Sequence, residues 1–180
     1  MVITIEFCVS IGNDTCVEED RIIAEPEHYY PQLAAVEERD GALDGAIVIR
    51  ALGEPEVKVE DEIVAIVHNL CIRAIPDLVA GRHVVVPYFQ YYGYLRLDPE
   101  DQDVLISGDF VPKVRINLRE TTLGLYECGQ RFLAFLLRYK EPDPAYVASI
   151  QDMMREAEET RKAIDTAETI GWGTRRRPNG

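Results

Sequence analysis

Near the start of the chain, Ile3, Ile5, Phe7 and Val9 alternate with Thr4, Glu6 and Cys8, which predicts a strand with one buried face. "SIGNDTCVEED" reads as a turn-rich connection and "RIIAE" as a short returning strand. "HYYPQLAAVEERDG" is helical at its centre and stops at Gly41, and "ALDGAIVIRAL" has the β-branched richness of a buried strand. "VEDEIVAIVHNLCIRAIPDLVAG" predicts the clearest helix of the first half. Glu60, Asp61 and Glu62 fall in its first turn, where carboxylates favour the positive end of the dipole. Ile63, Ile66, Val67, Leu70, Cys71 and Ala74 then form one apolar stripe, which Pro76 ends or kinks.

From Arg82 to Leu118 the period shortens. "HVVVPYF", "YGYLRL", "DVLISGDF" and "KVRINL" alternate with turn material and predict a meander of three or four strands. Helical spacing returns in "RETTLGLYECGQRFLAFLLRYK" through Leu125, Cys128, Phe132, Phe135, Leu136 and Tyr139. Asp143 and Pro144 make an N-cap and first-position pair for a last helix that runs to Gly171. The elements predict one α+β domain over residues 1–171, a mostly antiparallel sheet with helices packed on one face and a long C-terminal helix. Residues 172–180, with Arg175–Arg177, form a basic tail.

Composition places the chain among ordinary globular proteins: 180 residues, 47% hydrophobic and 28% charged. Cys8, Cys16, Cys71 and Cys128 lie far apart, three of them in apolar stretches, so reduced thiols packed as small hydrophobes are expected, and with them a cytoplasmic location. The opening "MVITIEFCVS" reads as a strand rather than a secretory signal, and no apolar run approaches the roughly 20 residues that span a bilayer. Charge changes the picture most. The net charge is −13, with 14 acids against 4 bases in residues 1–60 and 9 against 9 in residues 121–180. Such a field repels nucleic acid and anionic membranes and favours encounter with a basic protein.

Catalytic motifs are missing. Neither GxGxxG nor GxxxxGK[ST] occurs, and His28, His68 and His83 are isolated, so no cofactor and no metal is expected. "DPEDQD" lacks the glycine and terminal glutamate of an EF-hand loop and reads as a solvated hairpin turn. No serine sits in a G-x-S-x-G elbow, and Cys128 lies on an apolar stripe despite Arg131 nearby. In "ISGDF", Asp109 is either a turn cap or a functional carboxylate at the sheet rim. An enzyme is therefore not the favoured reading.

The remaining signal is "YFQYYGY", five aromatics in seven residues. Base stacking needs interleaved cations, whereas Arg96 stands alone against Asp98, Glu100, Asp101 and Asp103. At roughly 150–250 Å² per ring, five exposed aromatics make a larger patch than a soluble monomer tolerates, so some are buried. Phe89 and Leu95 are the expected core members. Tyr88, Tyr91, Tyr92 and Tyr94, rimmed by Asp98, Glu100, Asp101, Asp103 and Asp109, are the expected partner-binding set, with Tyr91 and Tyr92 the most exposed.

The layout of "EIVAIVHNLCIRAIPDL", "YGYLRLDPEDQDVLISGDF" and "LGLYECGQRFLAFL", over roughly residues 60–140, resembles the small acidic immunity proteins that bacteria encode beside polymorphic or contact-dependent toxins. That resemblance implies a non-enzymatic inhibitor that occludes a cognate, often basic, toxin. The alternatives are an acidic secretion-effector chaperone, usually dimeric, and a small carboxylate-dependent enzyme.

Overall fold

A computed structural model describes residues 3–12, 15–140 and 143–172; the Arg175–Arg177 tail lies outside them. The fold is α+β, built on two antiparallel four-stranded sheets rather than the single sheet expected. In the first, β2 (Cys16–Glu18), β1 (Ile3–Ser10), β3 (Asp44–Ala51) and β4 (Val57–Glu62) lie side by side in that order. In the second, β5 (Val84–Pro87), β6 (Tyr94–Glu100), β7 (Asp103–Gly108) and β8 (Val114–Asn117) form an uninterrupted meander.

The alternation in β1 holds, with Ile5, Phe7 and Val9 turned to the core. Two predictions around it fail. "RIIAE" is not a strand: Arg21–Ala24 belong to helix α1 (Glu19–Ala24), whose first turn carries Glu19 and Asp20. One buried residue, Ile22, beside Ile23 at 45% exposure, is a helical rather than an alternating arrangement. Nor do Glu60, Asp61 and Glu62 open a helix. Val57, Val59 and Asp61 share the buried parity of β4, which pairs with β3 through Ile47↔Val59, and helix α3 (Ile63–Ile66) begins only afterwards. Glu62 is its N-cap and accepts from Val64 N at 3.3 Å and Ala65 N at 2.7 Å.

Helix α2 (Pro26–Asp40) ends at Gly41 as predicted, and the stripe from Ile63 to Ala74 is buried. Its helix widens to a π-helical turn over Val67–Arg73, where Ala74 N reaches back five residues to Asn69 O at 2.9 Å. That extra residue lets Leu70, Cys71 and Ile72 all be buried in succession. Pro76 then sits in the first turn of α4 (Ile75–Val79), where its missing N–H costs nothing.

Helix α5 (Leu118–Tyr139) runs across both sheets. Its Phe132 meets Phe7 of β1 edge to face at 5.1 Å, and one continuous apolar core includes side chains from the two sheets. Helix α6 (Pro144–Ile170), capped by Asp143, packs on α5, α4 and the π-helical turn. Among the described residues no helix is long and apolar enough to cross a membrane.

The cysteines correct the expectation of four free thiols. Cys8 and Cys16 face each other across the β1–β2 hairpin, Cα atoms 5.7 Å apart, and form a disulfide. Eight residues of separation became adjacency because an antiparallel turn folded them together, and cysteine spacing therefore no longer argues for a reducing compartment. Cys71 and Cys128 are free and buried, and burial pushes the Cys71 thiol well up.

Candidate functional site: an aromatic loop braced by buried carboxylate

The run from Tyr88 to Gly93 is the β5–β6 connection, and it leans from the second sheet onto the end of the first. Val84 and Val86 are the buried positions of β5, so its parity carries Tyr88 inward and leaves Phe89 on the outward side with Val85. Phe89 is 76% exposed, contrary to expectation, while Leu95 in β6 is fully buried as expected. Tyr88, expected on the binding surface, is instead 8% exposed; its hydroxyl donates to the Asp109 carbonyl at 2.9 Å. Burial, reinforced by the Asp109 and Asp61 carboxylates, pushes its phenol up to about 12.

Two carboxylates hold this loop. Asp61, on β4 and 3% exposed, accepts the backbone N–H groups of Phe89 and, at 2.9 Å, of Gln90. The Gln90 side chain adds a 2.6 Å bond to Asp44 of β3. Asp109 accepts Tyr94 N at 3.0 Å through its side chain and donates its own N–H to Tyr94 O at 3.0 Å. Asp109, expected either to cap its own turn or to act at the sheet rim, caps the neighbouring strand instead. Gly93, at φ 148°, lies so near Asp109 that a Cβ would stand 2.9 Å from its carboxylate.

What the braces present is apolar. Tyr91 is 54% exposed and Tyr92 fully so, as expected of them, and Tyr94 is 38% exposed with Arg96 stacked 4.5 Å over its ring. Phe110, not singled out from the sequence, is 79% exposed, and its ring lies 6.4 Å from that of Tyr91 and 6.1 Å from that of Tyr88. Its φ of 66° is rare for a bulky side chain and costs about 1–3 kcal/mol, so the fold sustains strain while leaving the ring outside. Phe89, Tyr91, Tyr92 and Phe110 leave in sum about 600 Å² of ring surface uncovered, at roughly 200 Å² per ring.

The acids of "DPEDQD" are not its rim. Tyr94 and Glu100 are the two ends of β6, so at about 3.3 Å per residue the hairpin stands about 20 Å away. There Asp98 pairs with His83, Glu100 with Arg115 at 2.6 Å, and Asp101 turns the chain at φ 56°. Asp103 pairs across that hairpin with Glu100 in the β6–β7 register. Negative charge beside the aromatics comes instead from the first sheet. A cleft of about 210 Å³ next to Tyr91 is walled by Asp44, Glu60 and Asp61, with Lys58 already paired to Glu60. Next to it, burial first and then the Asp61 and Asp44 carboxylates raise the Glu62 carboxyl, partly offset by the Ala65 and Val64 N–H groups it accepts. Sequence could have suggested Asp61 through the β-parity of Val57, Val59 and Asp61, which the acidic run Glu60–Glu62 masked.

Asp61 commits both oxygens to loop amides and Glu62 both to the start of α3. Among the described residues no group of three or more histidine, cysteine or acidic side chains is placed to hold a metal ion. The arrangement defines an α+β protein presenting a braced aromatic loop beside an acidic cleft. No protein-family model, curated protein or solved structure matches the chain.

Proposed function

We propose that this protein is a non-enzymatic protein-binding inhibitor that sets its aromatic loop onto a basic partner. The exposure of Phe89, Tyr91 and Tyr92 on a loop fixed by a buried aspartate, with Phe110 of the β7–β8 connection beside Tyr91, supports this reading. Rigid aromatics carry binding energy at low entropic cost, and a preorganised loop loses little freedom on docking. The acids flanking the loop, within a chain of net charge −13, select for a basic surface. Together with the layout resemblance, this extends the proposal to an immunity protein acting in the cytoplasm on a cognate toxin.

The decisive experiment is co-expression with the products of neighbouring genes. A basic neighbour whose toxicity is relieved by this chain, and not by its Tyr92→Ala/Phe110→Ala variant, is the expected result. Retention of full protection by that variant would remove the loop from the mechanism. A stable dimer in light scattering that buries the same rings would favour the chaperone reading instead.

A further inference from the structure

The first sheet has an incomplete edge. β3 pairs with β1 along Ile3–Val9, but on the other side β2 pairs only with Cys8–Ser10. Among the described residues, Ile3–Phe7 therefore has no strand partner on that side. The Ile5 carbonyl points there, because it accepts the Arg131 guanidinium Nη2 at 2.7 Å. A strand residue turns its N–H and C=O to the same side, so the main-chain groups of Ile3, Ile5 and Phe7 share this edge.

Against it lies a cleft of about 680 Å³ between β1, α1 and α5, within the size range of ligand sites. Glu18, Asp20 and Glu127 stand at its wall and are exposed, whereas among the described residues Arg131 is the one cation lining it. Arg131 also pairs with Glu19 Oε1; Glu19 is 8% exposed, and its Oε2 is buried without a hydrogen-bond donor. Open edges invite pairing and are normally covered or blunted. Here one arginine, its side chain 40% exposed, does the blunting, and it is a plug that can swing aside.

We propose that this edge docks an extended basic segment of a protein partner, which adds to β1 as a further strand of the first sheet. The incoming N–H replaces Arg131 at the Ile5 carbonyl, and its lysine or arginine side chains meet Glu18, Asp20 and Glu127. Displaced Arg131 keeps Glu19 as its partner. Only a main chain supplies donors and acceptors at strand spacing, and only a basic one suits these acids. The site lies at the Ile3 end of β1, about 20 Å from its Ser10 end beside the aromatic loop, and shares with the reading above only the basic partner.

The test titrates the isotope-labelled full chain with a blocked hexapeptide alternating Lys and Val, and with the same peptide N-methylated at every residue, which carries equal charge but has no backbone N–H to donate along a ladder. Shifts at Ile3–Phe7 and at least about tenfold slower amide exchange at Ile3 and Ile5 are expected with the first peptide alone. The Asp20→Lys/Glu127→Lys variant, altered at two exposed positions, should weaken that binding about tenfold or more. Tyr92→Ala should leave it unchanged, so loss of either site leaves the other standing. Equal binding of both peptides, binding that moves Phe89–Tyr92 but not Ile3–Phe7, or no binding at all would each overturn the proposal.

Discussion

The two ends of the second sheet use the same residue classes to opposite effect. At the hairpin end, Asp98 meets His83 and Glu100 meets Arg115, so part of that charge is answered locally. At the loop end, Asp61 and Asp109 are turned inward onto backbone amides, and the aromatics are left outside. The acids that resemble a binding rim serve the turn, and the acids that resemble helix or turn caps build the candidate binding surface. Carboxylate function here follows from what each oxygen faces rather than from local density along the chain.

That contrast can be broken most severely at Gly108. A Cβ there would stand 2.3 Å from the Tyr94 carbonyl oxygen and 3.0 Å from Leu95 Cα, at φ 151°. Gly108→Ala should cost about 2–4 kcal/mol in urea unfolding, because backbone rather than a flexible side chain must move. Asp61→Ala should come next, at about 1–3 kcal/mol, with faster hydrogen exchange at Phe89 and Gln90, since both amides lose their acceptor. An Asp61→Ala variant as stable as the parent would mean that the loop is not braced in solution.

Tyr88→Phe removes one bond, to the Asp109 carbonyl, and should cost about 1 kcal/mol. The same phenol gives a pH test. Its folded pKa is raised from 10.0 to about 12, so above pH 10 the unfolded chain releases a proton that the folded chain retains. The contribution of Tyr88 is whole below pH 10 and declines as pH rises toward about 12. A phenolate absorbance titration of the parent against Tyr88→Phe checks it. The smallest effects should fall on the exposed groups of both ends: Tyr92→Ala and Glu100→Gln should each stay within about 0.5 kcal/mol of the parent. A loss near 3 kcal/mol for Tyr92→Ala would mark a buried ring.

Much of the architecture was readable from periodicity. The meander follows from short alternating runs separated by turn residues, and α5 and α6 from long stripes, the latter with Asp143 as its cap. Errors arose where local preference and tertiary pairing disagree. Glu60–Glu62 has the composition of a helix start, yet β3 offered β4 a ladder partner, and pairing with Ala46, Gly45 and Asp44 decided the outcome. Phe89 is expected in the core beside Leu95, yet β5 buries Val84, Val86 and Tyr88, so Phe89 falls on the outward parity, in a loop tied down by a carboxylate 28 residues upstream. No single-sequence signal specifies such a pairing.

By itself, then, the sequence determined the class of elements, the order of the meander, the capped terminal helix and the sign of the electric field. Each depends on side chains a few residues apart, or on a sum over the whole chain. Tertiary structure decided the division into two sheets, the joining of Cys8 to Cys16, the separation of "DPEDQD" from the tyrosines and the placement of Phe110 beside Tyr91. These are long-range registers, and a shift of one residue in pairing turns every side chain to the opposite face.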